Sequence, residues 1–150
     1  IAPGNTPGVT SIVGSLDVTN KTTIEFELGG TAVGDGTTGY DRVDVTGMAI
    51  IGADTVFDIE YYGGFTAVAG DAFDLLVAGS IDFAGSLANF ILPVTSGLSW
   101  ATSIEDVDGG REALRLTALL TPVPLPASLP LLLAGVFAMG ALRRSRHSAS

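Results

Sequence analysis

Thr23-Ile24-Glu25-Phe26-Glu27-Leu28-Gly29-Gly30 is the stretch on which the fold turns. In an extended chain Ile24, Phe26 and Leu28 share one side and Glu25 and Glu27 the other, the period-two pattern of a strand with one buried face. The glycine pair ends it. Arg42-Val43-Asp44-Val45 repeats the alternation, and Phe57-Asp58-Ile59-Glu60-Tyr61 repeats it again before Gly63-Gly64. The more continuous apolar run from Phe73 to Ala78 predicts a strand covered on both sides. Leu114-Arg115-Leu116-Thr117-Ala118 closes the series with another alternation. The 20 glycines fall mostly between these runs, where tight turns need them. Strands at this spacing with no helical stretch between them exclude a doubly wound α/β fold. They predict an all-β domain over residues 16–120, built as a short solenoid or a β-sandwich. Residues 1–15, rich in Gly, Pro, Ser and Thr, predict an extended N-terminal segment.

Working outward, 150 residues with 47% hydrophobic content suit one modest domain plus one extra element. All sixteen acidic residues lie between Asp17 and Glu112. Up to Leu120 only Lys21, Arg42, Arg111 and Arg115 oppose them, four cations against sixteen acids, a body charge of −12. The remaining arginines, Arg143, Arg144 and Arg146, bring the chain to −9. Such a body repels phosphate backbones, so nucleic acid is not an expected partner. Cysteine is absent, which removes both a disulfide framework and a thiolate nucleophile. The opening Ile1-Ala2-Pro3-Gly4-Asn5 fits a mature form whose signal peptide has been removed, and a trimmed chain equally.

Candidate chemistry is sparse. His147, the one histidine, lies beyond the apolar tail, so Ser-His-Asp and Cys-His sites are not expected in the body, nor is a zinc site. Glu105, Asp106 and Asp108 before Gly109-Gly110 form an acidic turn. They lack the third ligand position and distal Glu of an EF-hand loop, and read as a solvated turn. Asp35 and Asp41 flank a Gly/Thr loop, where Asp orders backbone. Asp17, Asp58 and Glu60 read as exposed strand residues rather than a glycosidase pair. Gly4-Asn5-Thr6-Pro7-Gly8 has neither the Lys nor the following helix of a phosphate loop. Trp100, Tyr40, Tyr61 and Tyr62 suit core or rim packing better than a sugar-stacking surface. No catalytic residue, metal site or cofactor is expected.

The body nevertheless resembles a known module. Phe26-Glu27-Leu28-Gly29-Gly30, Gly39-Tyr40-Asp41-Arg42-Val43-Asp44-Val45-Thr46-Gly47, Gly64-Phe65-Thr66, Ala69-Gly70-Asp71-Ala72-Phe73-Asp74-Leu75-Leu76, Leu92-Pro93 and Gly97-Leu98-Ser99-Trp100 follow one another as in the module that ends many bacterial autotransporter-like surface proteins. That resemblance implies a secreted architectural fold, a short parallel β-helix-like domain, with the sandwich as the alternative.

The tail carries a second resemblance. Val123-Pro124-Leu125-Pro126-Ala127, an uncharged run to Leu142 and then Arg143, Arg144 and Arg146 are similar to the VPLPA class of PEP-CTERM sorting signals of Gram-negative bacteria. Residues 121–127 read as a Pro-rich linker, 128–142 as a transmembrane helix starting at a Ser128 cap, and 143–150 as a basic cytoplasmic tail. From Leu125 the run has 18 uncharged residues, about 27 Å of helix against roughly 30 Å of hydrocarbon. The expectation is a single-pass inner-membrane protein whose β-domain is periplasmic or extracellular and whose C-terminus is cytoplasmic. The lipid bilayer and other integral membrane proteins are its expected partners. The resemblance adds an exosortase, the membrane protease-transferase that processes such tails. Together these features predict a non-enzymatic, membrane-anchored surface or matrix structural protein. The alternative is an uncleaved single-span accessory subunit bracing the periplasmic face of a respiratory or photosynthetic complex.

Overall fold

The computed structural model describes residues 1, 5–34, 36–122 and 135. The strands are β1 (Val9–Ile12), β2 (Leu16–Val18), β3 (Thr23–Leu28), β4 (Ala32–Val33), β5 (Gly39–Tyr40), β6 (Arg42–Val45), β7 (Met48–Ile51), β8 (Val56–Tyr61), β9 (Ala72–Ala78), β10 (Ser80–Phe83), β11 (Phe90–Ile91), β12 (Leu98–Val107) and β13 (Arg111–Leu120). A short 3-10 turn, Leu87–Asn89, precedes β11. The strands build three sheets, ordered β1-β6-β9-β13-β12, β10-β7-β2 and β11-β8-β3-β5-β4. The described protein is thus mostly β, as the alternating runs predict.

The chain visits the three sheets in the same order three times, through β1-β2-β3, β6-β7-β8 and β9-β10-β11. Each strand pairs parallel with its counterpart one circuit earlier. Val9 meets Arg42, Ile24 meets Phe57, Val43 meets Leu76 and Phe57 meets Phe90, always 33 residues on. Ala49 meets Ile81 at 32. The expected lead-in of residues 1–15 therefore contains β1, the first strand of the first circuit. Because register repeats, the inward side of each strand stacks on the inward side of the next. Phe57 lies 4.6 Å from Phe90 and 6.2 Å from Phe26, both stacked, and meets Phe83 edge-on at 6.0 Å. Ile24, Phe26, Leu28, Phe57, Phe73 and Leu76 are fully buried in this column.

Corners between the first and second sheets are tight. Gly47 N–H donates to Gly14 O and Gly79 N–H to Gly47 O, each at 2.8 Å. A Cβ on Gly47 would sit 2.8 Å from Gly14 O, so backbone approach here demands glycine.

The last two strands break the parallel rule. β12 and β13 form an antiparallel hairpin, and β13 lies antiparallel on β9, extending the first sheet past the last circuit. Val107 pairs with Arg111 around Asp108-Gly109-Gly110, where both glycines have positive φ, 79° and 74°. Leu114, Leu116 and Ala118 face inward and are buried. Glu112 Oε2 accepts from Ile81 N–H at 2.5 Å, satisfying a donor on the outermost strand of the second sheet. The register of β13 on β9 shifts between Leu114, opposite Leu76, and Arg115, opposite Asp74. Leu75 is the extra residue, and a bulge puts two successive side chains on one side. Leu75 and Leu76 are accordingly both fully buried. The apolar run of β9 thus owes its Leu75-Leu76 pair to the bulge, while its outward face, with Asp74, lines an open groove.

One expectation is corrected. No helix among the described residues is long and apolar enough to cross a membrane. The single-pass inner-membrane placement, with a periplasmic or extracellular β-domain and a cytoplasmic C-terminus, is not upheld. Its transmembrane helix, 128–142, lies outside the described residues except for Gly135, as does 143–150. The length is also marginal. Pro124, Pro126 and Pro130 interrupt the N-terminal end of the apolar run, and the fifteen residues from 128 to 142 would rise about 22 Å against a core of ~30 Å.

Candidate functional site

Alternation around the buried Val43, Val45 and Leu116 puts Arg42, Asp44, Asp74, Arg111 and Arg115 on the outward face of the first sheet. Three of the four body cations converge there from β6 and β13. Arg42 donates from Nε (3.1 Å) and Nη2 (2.6 Å) to Asp44 Oδ2. Arg115 makes a two-pronged pair with Asp74, Nε to Oδ1 at 2.7 Å and Nη2 to Oδ2 at 3.0 Å. The bulge at Leu75 brings Asp74 opposite Arg115. Arg111 acts as a clamp, its Nη2 donating to Asp44 Oδ1 (3.2 Å), Val45 O (3.2 Å) and Val77 O (3.0 Å). Hydrogen bonds to Asp74 hold the Arg115 guanidinium above its ordinary pKa, outweighing the opposing effect of burial. Behind Asp74, the buried Tyr40 hydroxyl accepts from Asp74 N–H at 3.2 Å, and burial pushes the phenol up. Between these groups lies an open groove of about 410 Å³, lined by the three arginines, Asp74, Val77 and Val107, with Asp108 contributing from the hairpin turn.

The third sheet carries the opposite charge on its outward face. Glu25 lies across from Asp58 and Glu27 across from Glu60, so like charges face each other on β3 and β8. Asp41, only 1% exposed, ties the chain together at one end of this row. Its Oδ1 accepts from Gly8 N–H at 2.7 Å and its Oδ2 from Glu27 N–H at 2.8 Å. Desolvation raises the Asp41 pKa, and these two backbone donors only partly offset it. Glu27 is raised as well, by desolvation first and then by Asp41 and Glu60. Its Oε2 is buried with no hydrogen-bond partner among the described residues.

The other candidates do not converge. Among the described residues no three Asp, Glu, His or Cys side chains come together to hold a metal ion. Asp17 Oδ1 accepts from Thr19 N–H as a local turn, away from Asp58 and Glu60 on β8. Glu105 and Asp106 lie near the end of β12, which closes at Val107, and Asp108 begins the hairpin turn. Tyr40 and Trp100 both pack on Phe73, at 5.3 and 6.3 Å, whereas Tyr61 packs on Phe65. They are core and rim residues rather than a stacking platform. Asp35, Gly4, His147, the sorting motif Val123, Pro124, Leu125, Pro126 and Ala127, and Arg143, Arg144 and Arg146 lie outside the described residues.

Arg42, Arg111 and Arg115 were legible in the sequence only as scarce cations. Two of them stand three and seven residues after Asp108 in β13 and the third two circuits earlier, so stacking alone makes them neighbours. No protein-family model matches the chain, and no curated protein matches it.

Proposed function

We propose that this chain is a non-enzymatic architectural protein of the bacterial surface or matrix, built as a short parallel β-helix-like domain and followed by an exosortase-type sorting signal at Val123–Ala127. The observation that carries the reading is the repeated parallel register at 33-residue offsets through all three sheets. A sandwich pairs its strands antiparallel within two sheets and has no reason to repeat that offset. The aromatic and aliphatic column fills the interior, which leaves outward faces as the surfaces available for interaction. Strong acidity of the body argues against a nucleic-acid partner.

Mass spectrometry of the native C-terminus, in cells with and without an exosortase, tests the sorting half. The expected result is a mature end near Ala127 that depends on the enzyme. An intact Ser150 in both strains would sink it.

A further inference from the structure

We infer that the arginine groove on the first sheet is a binding site for a single carboxylate borne on an otherwise neutral sugar chain. The charge count comes first. Arg42, Arg111 and Arg115 are in contact with two carboxylates, Asp44 and Asp74, which leaves one positive charge uncompensated inside the ion-pair network. Donors are left over as well. Arg42 and Arg115 each spend Nε and Nη2 on an aspartate, and no Nη1 of the three arginines is engaged by the described protein. A guanidinium has five N–H donors in a rigid fork whose geometry matches a carboxylate. The aspartates hold the forks in place before any ligand arrives, which lowers the ordering cost of binding. Arg42 and Arg115 are 26% and 34% exposed at the side chain, so their free edges reach solvent.

Size and shape select what carries the carboxylate. About 410 Å³ is far more than one carboxylate fills and accommodates a sugar ring. The same outward face bears small side chains around it, Ala72 on β9, Thr117 on β13, and Ala101 and Ser103 on β12. Such a face suits an extended chain lying across the strands. Polyanions are disfavoured, because Asp108 on the groove lining offsets the one positive charge left over in the ion-pair network, and Glu105 acts on Arg115 at its edge. The body beyond carries the rest of the −12. Sparse acidic residues on a neutral glycan fit this field, and a dense polyuronate does not.

Calorimetric titration of the full chain at low salt tests the assignment. The probes are a glucuronate-terminated neutral tetrasaccharide, its glucose-terminated counterpart, acetate and a polyuronate. The expected order is saturable binding of the first, with each of the others at least about tenfold weaker, the worth of one charge-assisted pair. Arg42→Gln removes a fork while Arg111 still holds Asp44, and should cost about tenfold. Asp108→Asn removes a like charge without touching the ion pairs, and should tighten binding about threefold. Lys21→Gln, which is outside the groove, should change nothing. Equal binding of the neutral tetrasaccharide would overturn the carboxylate, equal binding of acetate would overturn the sugar, and tighter binding of polyuronate would overturn the single charge. Should Arg42→Gln fail to fold, the Asp108→Asn result decides alone, and unchanged or weaker affinity there refutes the site. Tail processing is unaffected by any of these outcomes, so the site and the sorting reading fail separately.

Discussion

Replacing Phe57 by Ala tests whether the interior column of the second circuit holds the domain together. Phe57 is fully buried between the first and third circuits, with Phe26, Phe83 and Phe90 as ring neighbours at 6.2, 6.0 and 4.6 Å. Burying a Phe side chain contributes about 1.5–3 kcal/mol, and each favourable ring pair about 0.5–1.5 kcal/mol more. Strands fixed by parallel pairing on both sides cannot collapse into the void, so the loss should fall in the measured range for such changes, about 3–5 kcal/mol. Against a total of about 5–15 kcal/mol that is a large fraction. The melting temperature should fall by roughly 12–20 °C for a domain of this size. Urea titration followed by Trp100 fluorescence measures it. This one tryptophan packs on Phe73 and donates Nε1–H to Pro93 O at 3.3 Å, so it reports on the hairpin end of the core. The midpoint should drop with the m-value unchanged. Leu120→Ala, at a side chain 74% exposed, should stay within about 0.5 kcal/mol. A loss below about 1 kcal/mol for Phe57→Ala would refute the reasoning, because it would mean that the column is not packed as described.

Three further outcomes are expected. Gly47→Ala should destabilise by about 1–3 kcal/mol, since its Cβ would press on Gly14 O at 2.8 Å and Ser15 Oγ at 2.9 Å; thermal melts no different from wild type would show that the corner yields. Glu27 and Asp41 have folded pKa values raised from their ordinary 4.5 and 3.8, so the folded state binds more protons than the unfolded chain above those values. Their contribution to stability therefore falls as pH rises through that window. Melting temperature should climb as pH is lowered from 7 toward 5, less so in Glu27→Gln, and identical slopes in the two proteins would remove Glu27 as a cause. A double-mutant cycle on Arg115→Gln and Asp74→Asn should give a coupling of about 0.5–1 kcal/mol that shrinks with added salt, since both side chains are partly exposed; a salt-independent value would contradict that exposure.

Local pattern was enough for β3, β6, β8, β9 and the middle of β13, and not for the other eight strands. Glu25, Glu27, Asp58 and Glu60 alternate with buried partners, and water contact on one face suffices to impose that order on a single strand. A further signal stood in the chain but is faint by residue identity. Gly14, Gly47 and Gly79, like Ile24, Phe57 and Phe90, recur at 32 to 33 residues, the length of one circuit. It is faint because a stacked column asks only for apolar volume at each level and for glycine at one corner. The bulge was not readable, since Leu75-Leu76 in isolation looks like any buried strand.

Charge, alternation and the absence of cysteine are properties of residues in order along the chain, and the all-β body and its acidity follow from them with no knowledge of contacts. Which strands pair, and in which direction, follows from packing three circuits around one core, where burial of Phe57 and its neighbours outweighs any local preference. The arginine groove belongs wholly to that second kind of information. Arg42 and Arg111 are 69 positions apart and share Asp44 only because the chain winds through the same sheet again before the hairpin closes it.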